Sequence, residues 1–516
     1  MKVASLLLAA SLFALPAHAA DHPKPAETAA SSPEKTKDAA AEKEKAPVAE
    51  EKPVVTRHQI TVNGKTLTYT ATTGTLPIRN AAGEIEAQMF FVAYTADTAG
   101  KTSQRPLLFA FNGGPGSSSV WLHLGAIGPK RVNLPDDGSM PLPPFQQVDN
   151  PETWLDQADL VFVDPVGCGY SRAVKADQAS KFFSLKGDIE SVGEFIRLYL
   201  TRYERWSSPL FLTGESYGTT RAAGLTDNLI EHGIACNGII LISTVLNFAT
   251  ISFTPGNDLP YALFLPSYTA AAWYHHRLPA DFGRDLPANL REVEQWALAD
   301  YIPALAKGDQ LAPADQREII QRLARYTGLD ERYINNCNLR IEAQHFAMEL
   351  LRQEQITVGR YDSRLTGADI FAASETPDFD PSLAAVRPPF TAAFNDYVRR
   401  ELGYKTDEEY YILGGGIGHW DWGANNSFAE TAEALRKAFS KNPHMKLFVA
   451  SGLFDLATPY LSTDYTLDHL ELTVALKRNI ITARYEAGHM LYTDARSRSQ
   501  LKKDVAAFIR TALAPP

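Results

Sequence analysis

Short, continuous apolar runs alternate with helical patterns in the first half of the chain, and this alternation restricts the fold more than any other feature. The runs lie at residues 106–111, 160–163, 209–212 and 239–242. Strands that are apolar along their whole length are typical of parallel sheets buried on both faces. Between them, residues 184–206 carry an apolar stripe at helical spacing. The pattern predicts an α/β protein with a mostly parallel, doubly wound sheet.

The segments on either side of this region follow other patterns. Residues 58–62 and 65–69 flank Asn63-Gly64 and predict a β-hairpin, and residues 87–94 predict a further strand. Residues 258–410 consist of Ala- and Arg-rich helical stretches with scattered prolines. Strand-like runs return at 446–449 and 479–482, and a helix at 497–513 ends the chain. We therefore predict a first core part at 57–250, an inserted helical lid at 251–425 and a second core part at 426–516.

The first 19 residues follow the order of a secretory signal peptide. Lys2 supplies a positive charge, residues 3–15 are apolar, and residues 17–19 are Ala-His-Ala. The apolar run is too short to span a bilayer, and a buried helix of the mature fold is the alternative. Residues 20–56 are rich in Ala, Glu, Lys and Pro and show no apolar face, which predicts a disordered tether or a short charged helix. The chain is expected to be exported, either periplasmic or secreted.

Composition and residue spacing exclude several classes of site. The net charge of −10 provides no basic surplus for sequence-independent binding of nucleic acid. Cys168, Cys236 and Cys337 allow at most one internal disulfide, so the core must supply the stability. His275 and His276 are adjacent, so their side chains diverge, and the sequence contains no His-Glu-x-x-His motif. We expect no metal and no cofactor.

Residues 214–218, Gly-Glu-Ser-Tyr-Gly, fit the Gly-x-Ser-x-Gly pattern of a nucleophile elbow. The predicted strand at 209–212 precedes them and a predicted helix at 219–230 follows. A sharp strand-to-helix turn strains the serine backbone, requires small neighbours and exposes Oγ at the carboxyl end of the sheet. A plain turn serine is the alternative. In this context the pattern predicts Ser216 as the nucleophile of an α/β-hydrolase fold.

Two later residues have the positions expected of an acid and a base. Asp455 follows the predicted strand at 446–449, and His489 follows the predicted strand that starts at residue 479. The chain order nucleophile, acid, base is the order of this fold. A neutral imidazole can take the Ser216 proton, while a carboxylate fixes its tautomer and stabilises the imidazolium. Taken alone, each residue also fits a purely structural role, Asp455 as a turn or N-cap residue and His489 as a hydrogen-bonded loop histidine.

Residues 111–119, Phe-Asn-Gly-Gly-Pro-Gly-Ser-Ser-Ser, form a glycine-rich loop after an earlier strand. Consecutive glycines let the backbone turn N–H groups toward a developing oxyanion. In α/β hydrolases this loop supplies one oxyanion donor, and the residue after the nucleophile, here Tyr217, supplies the other. A tight strand–helix turn is the alternative. A phosphate-binding loop is disfavoured, because such a loop would end in Gly-Lys-Ser/Thr. Residues 419–422, His-Trp-Asp-Trp, are expected to line a substrate pocket, with core packing as the alternative.

Four separated motifs, taken together, resemble the serine carboxypeptidase family. They are Asn-Gly-Gly-Pro-Gly-Ser-Ser at 112–118, Asp-Pro-Val-Gly-Cys-Gly-Tyr-Ser at 164–171, Gly-Glu-Ser-Tyr-Gly at 214–218 and Gly-His-Met at 488–490. The resemblance covers roughly residues 90–250 and 445–495. It implies an α/β-hydrolase core with a helical insertion, and metal-free removal of C-terminal residues from peptides with a free C-terminus.

The resemblance also implies a role for each matching residue. By motif position these are a catalytic triad of Ser216, Asp455 and His489, an oxyanion hole of the Gly114 and Tyr217 N–H groups, and a site for the substrate's terminal carboxylate at Asn112 and Glu215. Two ionised carboxylates cannot sit in contact, so Glu215 would have to be protonated, which favours acidic pH.

The sequence departs from the family pattern at two positions. Ser117 stands where the family usually has cysteine. Residues 126–129 are Ala-Ile-Gly-Pro where the family usually has Glu-x-Gly-Pro, so Ala126 lacks the second carboxyl of the recognition pair. An esterase or acyltransferase on the same scaffold is therefore an alternative. A non-catalytic binding protein is a third, but it predicts a broken triad or oxyanion loop, and the sequence shows neither.

Overall fold

The structure, a computed structural model, describes residues 50–97 and 104–515. The predicted signal peptide at 1–19 and the predicted tether as far as residue 49 lie outside the described residues. None of the helices described is long and apolar enough to cross a membrane.

The described residues form fourteen strands, ten of them in one central sheet. In chain order they are β1 (Val54–Val62), β2 (Lys65–Arg79), β3 (Ile85–Ala96), β4 (Leu107–Phe111), β5 (Lys130–Val132), β6 (Gln147–Asp149), β7 (Asp159–Val163), β8 (Arg172–Ala173), β9 (Leu210–Ser216), β10 (Gly238–Thr244), β11 (Ile356–Val358), β12 (Thr366–Ala368), β13 (Lys446–Gly452) and β14 (Ile480–Tyr485). The sheet order is β1-β2-β3-β7-β4-β9-β10-β13-β14, and β8 pairs with β3.

Six neighbouring strands of the sheet, from β7 to β14, are parallel. These are the apolar runs of the sequence, and every residue of β4, β7 and β10 is buried. Burial on both faces explains why these strands are continuously apolar rather than alternating. The predicted doubly wound, mostly parallel sheet of an α/β hydrolase is confirmed.

The opposite end of the sheet is antiparallel, because β1, β2 and β3 form a meander. Val62 pairs with Lys65, and both turn residues have positive φ, 50° at Asn63 and 74° at Gly64, as the predicted two-residue hairpin requires. The predicted tether extended too far, because β1 already begins at Val54, where alternating burial starts.

Fifteen α-helices lie in the described part of the chain. They are α1 (Val120–Leu122), α2 (Leu185–Arg202), α3 (Tyr217–Glu231), α4 (Leu259–Leu263), α5 (Leu265–Tyr274), α6 (Leu286–Trp296), α7 (Ile302–Lys307), α8 (Pro313–Thr327), α9 (Glu331–Asn336), α10 (Ala343–Glu349), α11 (Pro381–Arg400), α12 (Ala432–Lys441), α13 (Tyr460–Asp468), α14 (Val474–Lys477) and α15 (Ala495–Leu513). Helices α2, α3 and α12 cover one face of the sheet, and α11 and α15 cover the other.

The helices between β10 and β13 divide into two groups. Helices α5 to α10 pack around an apolar cluster of their own, which includes Tyr268, Leu323 and Phe346. Helix α11 instead joins the core cluster beneath the sheet, where Phe390 packs 5.1 Å from Trp121 between ring centroids. Helix α12, also in this segment, packs on the other face of the sheet, so the segment contributes a helical cluster of its own and two helices that complete the core.

Candidate active site

Ser216 is the last residue of β9 and precedes the first residue of α3, at φ 59° and ψ −132°. This backbone conformation is costly for a residue with a side chain and is typical of a nucleophile elbow. Glycine is required on both sides of Ser216, because a side chain at either position would collide with neighbouring backbone atoms. A Cβ at Gly214 would lie 2.1 Å from the Gly218 carbonyl oxygen, and a Cβ at Gly218 would lie 2.8 Å from that of Phe111. The local geometry therefore explains why this turn carries Gly-x-Ser-x-Gly.

Asp455 and His489 follow the neighbouring strands β13 and β14, and both are buried. Nδ1 of His489 donates to Oδ2 of Asp455 at 2.7 Å, which leaves Nε2 for proton transfer. Burial by itself would lower the pKa of His489, but the charge and hydrogen bond of Asp455 outweigh it, and the pKa lies above its usual value.

Thr458 also donates hydrogen bonds to the Asp455 carboxylate, although the sequence pattern did not single it out. Its Oγ1 donates to Oδ2 of Asp455 at 2.8 Å and lies 3.1 Å from Nδ1 of His489. The backbone N–H groups of Ala457 and Thr458 donate to the other carboxylate oxygen at 2.7 and 3.0 Å. The Asp-x-x-Thr spacing at 455–458 is a local side-chain turn that could have revealed it. These bonds fix the acid in one orientation toward the imidazole.

A pocket opens beside Ser216 and His489, with Asn112 and Glu215 among its polar lining residues. Its apolar wall is formed by Trp121, Leu383, Leu413 and Met490. Leu383 and Leu413, together with Tyr361 near the imidazole, come from the segment between β10 and β13. That segment therefore builds part of the pocket wall.

The expectation that residues 419–422 line the pocket is wrong. Among the described residues that line it, neither Trp420 nor Trp422 is present. Both indoles pack edge-on against the Tyr217 ring, at centroid distances of 5.4 and 5.8 Å, and Trp422 also packs 4.6 Å from Phe248. They are structural because Tyr217 turns its ring away from the pocket and needs apolar cover.

The two predicted oxyanion donors lie beside the nucleophile. Tyr217 is the first residue of α3, so its N–H has no partner within the helix. A Cβ at Gly113 would lie 2.4 Å from the Tyr217 nitrogen, so the glycine-rich loop touches that amide. Gly114 follows with φ at +100°, a conformation that favours glycine. Gly113, Gly114 and Ser216 line the same pocket.

A buried ion pair supports this arrangement from behind. Nε of Arg221 donates to Oδ2 of Asp188 at 2.8 Å, and the Tyr217 hydroxyl donates to the same oxygen at 2.9 Å. Nη1 of Arg221 donates to the Asn112 carbonyl oxygen at 2.6 Å. The sequence analysis missed both charged residues, although each interrupts an apolar helix face. They link α2, α3 and the glycine-rich loop.

The second family motif, residues 164–171, also supports the glycine-rich loop. Oδ1 of Asp164 accepts hydrogen bonds from the backbone N–H and the hydroxyl of Ser119, both at 2.8 Å. Burial raises the pKa of Asp164 to about 6. Ser117, where the family usually has cysteine, accepts a hydrogen bond from Nε1 of Trp121 at 2.9 Å. Hydrogen bonds thus hold the loop, and all three cysteines of the chain are free thiols.

Asn112 and Glu215 face the pocket with unused hydrogen-bonding capacity. Oδ1 of Asn112 accepts from the Leu122 N–H at 3.1 Å, whereas Nδ2 has no partner within the described chain. Oε2 of Glu215 is likewise buried and unpartnered among the described residues. Burial raises the pKa of Glu215 to about 7, against the opposing influence of the His489 charge and of the neighbouring Tyr492 and Asn112 side chains. A carboxyl that is protonated at mildly acidic pH is therefore available in the pocket.

The sequence profile of the serine carboxypeptidase family matches residues 64–495 of this chain. The chain belongs to the serine carboxypeptidase family. This chain is 25% identical over 257 residues to serine carboxypeptidase-like 5 of Arabidopsis thaliana, an alignment that covers 47% of this chain and 50% of that protein. It is 29% identical over 173 residues to the pheromone-processing carboxypeptidase KEX1 of Saccharomyces cerevisiae, covering 31% of this chain and 22% of that protein. The aligned segments thus span half or less of these curated relatives.

The fold of this chain is also similar to that of a solved structure. The crystal structure of KEX1(delta)P, a prohormone-processing carboxypeptidase from Saccharomyces cerevisiae, superimposes with a TM-score of 0.50 at 16% identity. The superposition covers 85% of this chain and 91% of the yeast chain.

Proposed function

We propose that this serine carboxypeptidase family member is an active serine-type carboxypeptidase that releases C-terminal residues from peptides. The observation that carries the proposal is the buried Glu215 carboxyl, which lies in one pocket with Ser216 and the unpartnered amide of Asn112. A plain esterase does not require a protonatable carboxyl at this position. A free peptide C-terminus does, because a protonated carboxyl and an amide can both donate to its carboxylate.

The chemical steps follow from the geometry of the site. Oγ of Ser216 attacks the carbonyl carbon of the last peptide bond while Nε2 of His489 takes the hydroxyl proton. The N–H groups of Gly114 and Tyr217 stabilise the negative oxygen of the tetrahedral intermediate. His489 then gives its proton to the leaving amine, and the C-terminal residue departs with an acyl group left on Ser216. A water molecule, deprotonated by His489, hydrolyses this ester and restores the serine.

Substrate recognition uses two donors at the far side of the scissile bond. Nδ2 of Asn112 and the protonated Glu215 carboxyl donate to the terminal carboxylate, and this contact places the preceding carbonyl next to Ser216. Above its pKa, Glu215 becomes ionised and repels the substrate. The apolar wall around Trp121 and Met490 is suited to an apolar C-terminal side chain. This arrangement limits cleavage to the chain end.

The residues before the described part of the chain support a proposal about location. Lys2, the apolar residues 3–15 and the Ala-His-Ala at 17–19 have the order of a secretory signal peptide. We infer that the protein is exported, to the periplasm or the medium, and acts there on peptides. Fractionation of cells that express the full chain tests this, and retention of uncleaved protein in the cytosol would contradict it.

A pair of matched substrates tests the enzymatic proposal. Two N-blocked dipeptides ending in leucine, one with a free C-terminus and one amidated, differ only in the terminal charge. At pH 5 the free acid should have a kcat/KM on the order of 10–100-fold higher, because a charge-assisted hydrogen bond contributes roughly 1.5–3 kcal/mol. The Ser216→Ala variant serves as the control for contaminating peptidases. Equal cleavage of both peptides from pH 4 to 8 would contradict the proposal and leave an esterase-type hydrolase.

A further inference from the structure

Tyr492 lies behind the carboxylate site with its hydroxyl unused. The side chain is 1% exposed, and its ring packs so closely on Gly125 that a Cβ there would lie 2.3 Å from Cε2. Neither the motifs nor the proposed mechanism assigns it a role. Within the described chain, the Tyr492 hydroxyl, Nδ2 of Asn112 and Oε2 of Glu215 are all buried without a hydrogen-bond partner of normal geometry. Buried polar atoms without partners are rare, so three at one place call for an explanation.

These three atoms belong to one interacting group. The Tyr492 hydroxyl is influenced by the Glu215 charge and by hydrogen bonding with Glu215 and Asn112, and Glu215 is influenced by the same two neighbours. The cluster holds two kinds of donor, a phenol and an amide, and one acceptor. Hydrogen bonds in ligand-free sites are often long and tighten only when substrate binds.

We propose that Tyr492 is a positioning residue whose hydroxyl donates to Oε2 of Glu215 when substrate binds. The acid proton of Glu215 must then sit on Oε1, from which it is donated to the substrate's terminal carboxylate. This inference rests on the proposed carboxypeptidase function and adds the residue that orients its recognition group.

The other groups around Glu215 do not supply this orientation. His489 and Asp455 act on it through their charges, and Tyr361, whose ring lies 4.9 Å from the imidazole, interacts with it only electrostatically. None of these three donates a hydrogen bond to Glu215 among the described contacts. Asn112 and Tyr492 are the two donors that reach it, and Asn112 is also needed for the substrate. Tyr492 is therefore the donor that remains.

If the proposal is right, removing the Tyr492 hydroxyl should raise the pKa of Glu215 and also weaken binding of the free acid. A donor to Oε2 favours ionised Glu215, so removing it raises the pKa of Glu215 and moves the loss of free-acid binding to higher pH. Removing it also frees the carboxyl to rotate, so binding of the free acid at acidic pH weakens. A general loosening of the site would weaken binding without moving the pH midpoint upward.

The test measures binding rather than turnover. Dissociation constants for the free and amidated dipeptides are measured by calorimetry from pH 4.5 to 8.5 on Ser216→Ala and on Ser216→Ala with Tyr492→Phe. We expect the free-acid preference to fall about 3–10-fold at pH 5 and its pH midpoint to rise by about one unit. Affinity for the amidated peptide should stay unchanged. Tyr69→Phe is the matched control, since Tyr69 is another buried tyrosine with an unpartnered hydroxyl, in β2.

The outcomes separate the two proposals. If the free-acid preference falls with pH in the Ser216→Ala parent and has the same pH midpoint in the protein that also carries Tyr492→Phe, the role of Tyr492 alone is overturned. No preference in the parent at any pH would overturn the carboxypeptidase function together with it. Gly125→Ala gives a second route, because the new Cβ would displace the Tyr492 ring and should shift the midpoint in the same direction.

Discussion

Nη1 of Arg221 donates a 2.6 Å hydrogen bond to the backbone carbonyl oxygen of Asn112, across 109 positions of sequence. The bond joins helix α3, which follows Ser216, to the glycine-rich loop. Arg221 is 1% exposed and its partner Asp188 is 2% exposed, so the pair is shielded from water. The contact between the helix and the loop therefore depends on a buried charged pair.

Replacing Arg221 with methionine tests how much this buried pair contributes to the stability of the fold. The change leaves Asp188 buried without its cation, which should cost about 3–5 kcal/mol in the free energy of unfolding. Urea denaturation measures the loss. Arg197→Met is the matched control, because Arg197 pairs with Glu194 at 2.7 Å on a helix surface where its side chain is 43% exposed. Its loss should stay under about 1 kcal/mol, and equal losses in the two variants would contradict the assignment.

Replacing the triad residues should remove turnover without unfolding the protein. Ser216→Ala deletes only the attacking oxygen, so kcat should fall on the order of 10^6-fold, and His489→Ala should lose a similar amount. Asp455→Asn should lose about 10^4-fold, because the tautomer of the imidazole is no longer fixed. Assays with the free-acid dipeptide measure turnover, and thermal melts measure whether each variant stays folded. A Ser216→Ala protein that keeps a tenth of the wild-type rate would exclude Ser216 as the nucleophile.

A methyl group at Gly113 should damage the oxyanion hole. Its Cβ would lie 2.4 Å from the Tyr217 nitrogen and 2.6 Å from that of Gly218, so the amide must move. Loss of one oxyanion donor lowers kcat by about 10²–10³-fold. Gly418→Ala is the control, because a Cβ there meets no atom within 4 Å. If steady-state assays find Gly113→Ala as active as Gly418→Ala, the loop does not supply a donor.

The pH dependence of kcat/KM should differ between the two kinds of substrate. Protonated His489 cannot act as a base, so activity on both substrates falls as pH drops through its raised pKa. Ionised Glu215 repels a carboxylate, so activity on the free acid alone falls as pH rises through about 7. The free acid should show a bell-shaped profile and the amidated peptide a single rising limb. Glu215→Gln keeps a donor that does not titrate, and it should remove the alkaline limb; a limb that persists would contradict the role of Glu215.

Features that repeat within a few residues could be predicted from the sequence. The parallel strands were visible because burial on both faces favours continuous apolar runs, as in β4 and in residues 239–242 of β10. Ser216 was visible because its strained turn requires Gly214 and Gly218. The prediction that Trp420 and Trp422 line the pocket was wrong. An aromatic cluster in a loop shows the same sequence pattern whether its side chains line a pocket or pack against a buried residue such as Tyr217.

The sequence by itself determined the apolar strands of the parallel sheet and the candidate triad of Ser216, Asp455 and His489, because a buried strand and the turn at its carboxyl end leave a local pattern. Only the tertiary structure decided what surrounds them. Arg221 donates to the Asn112 carbonyl oxygen, and the Tyr492 hydroxyl lies near Glu215, although these residues are far apart in the chain. The pKa of Glu215 is raised mainly because the folded chain removes water from it, and no spacing of residues encodes that burial.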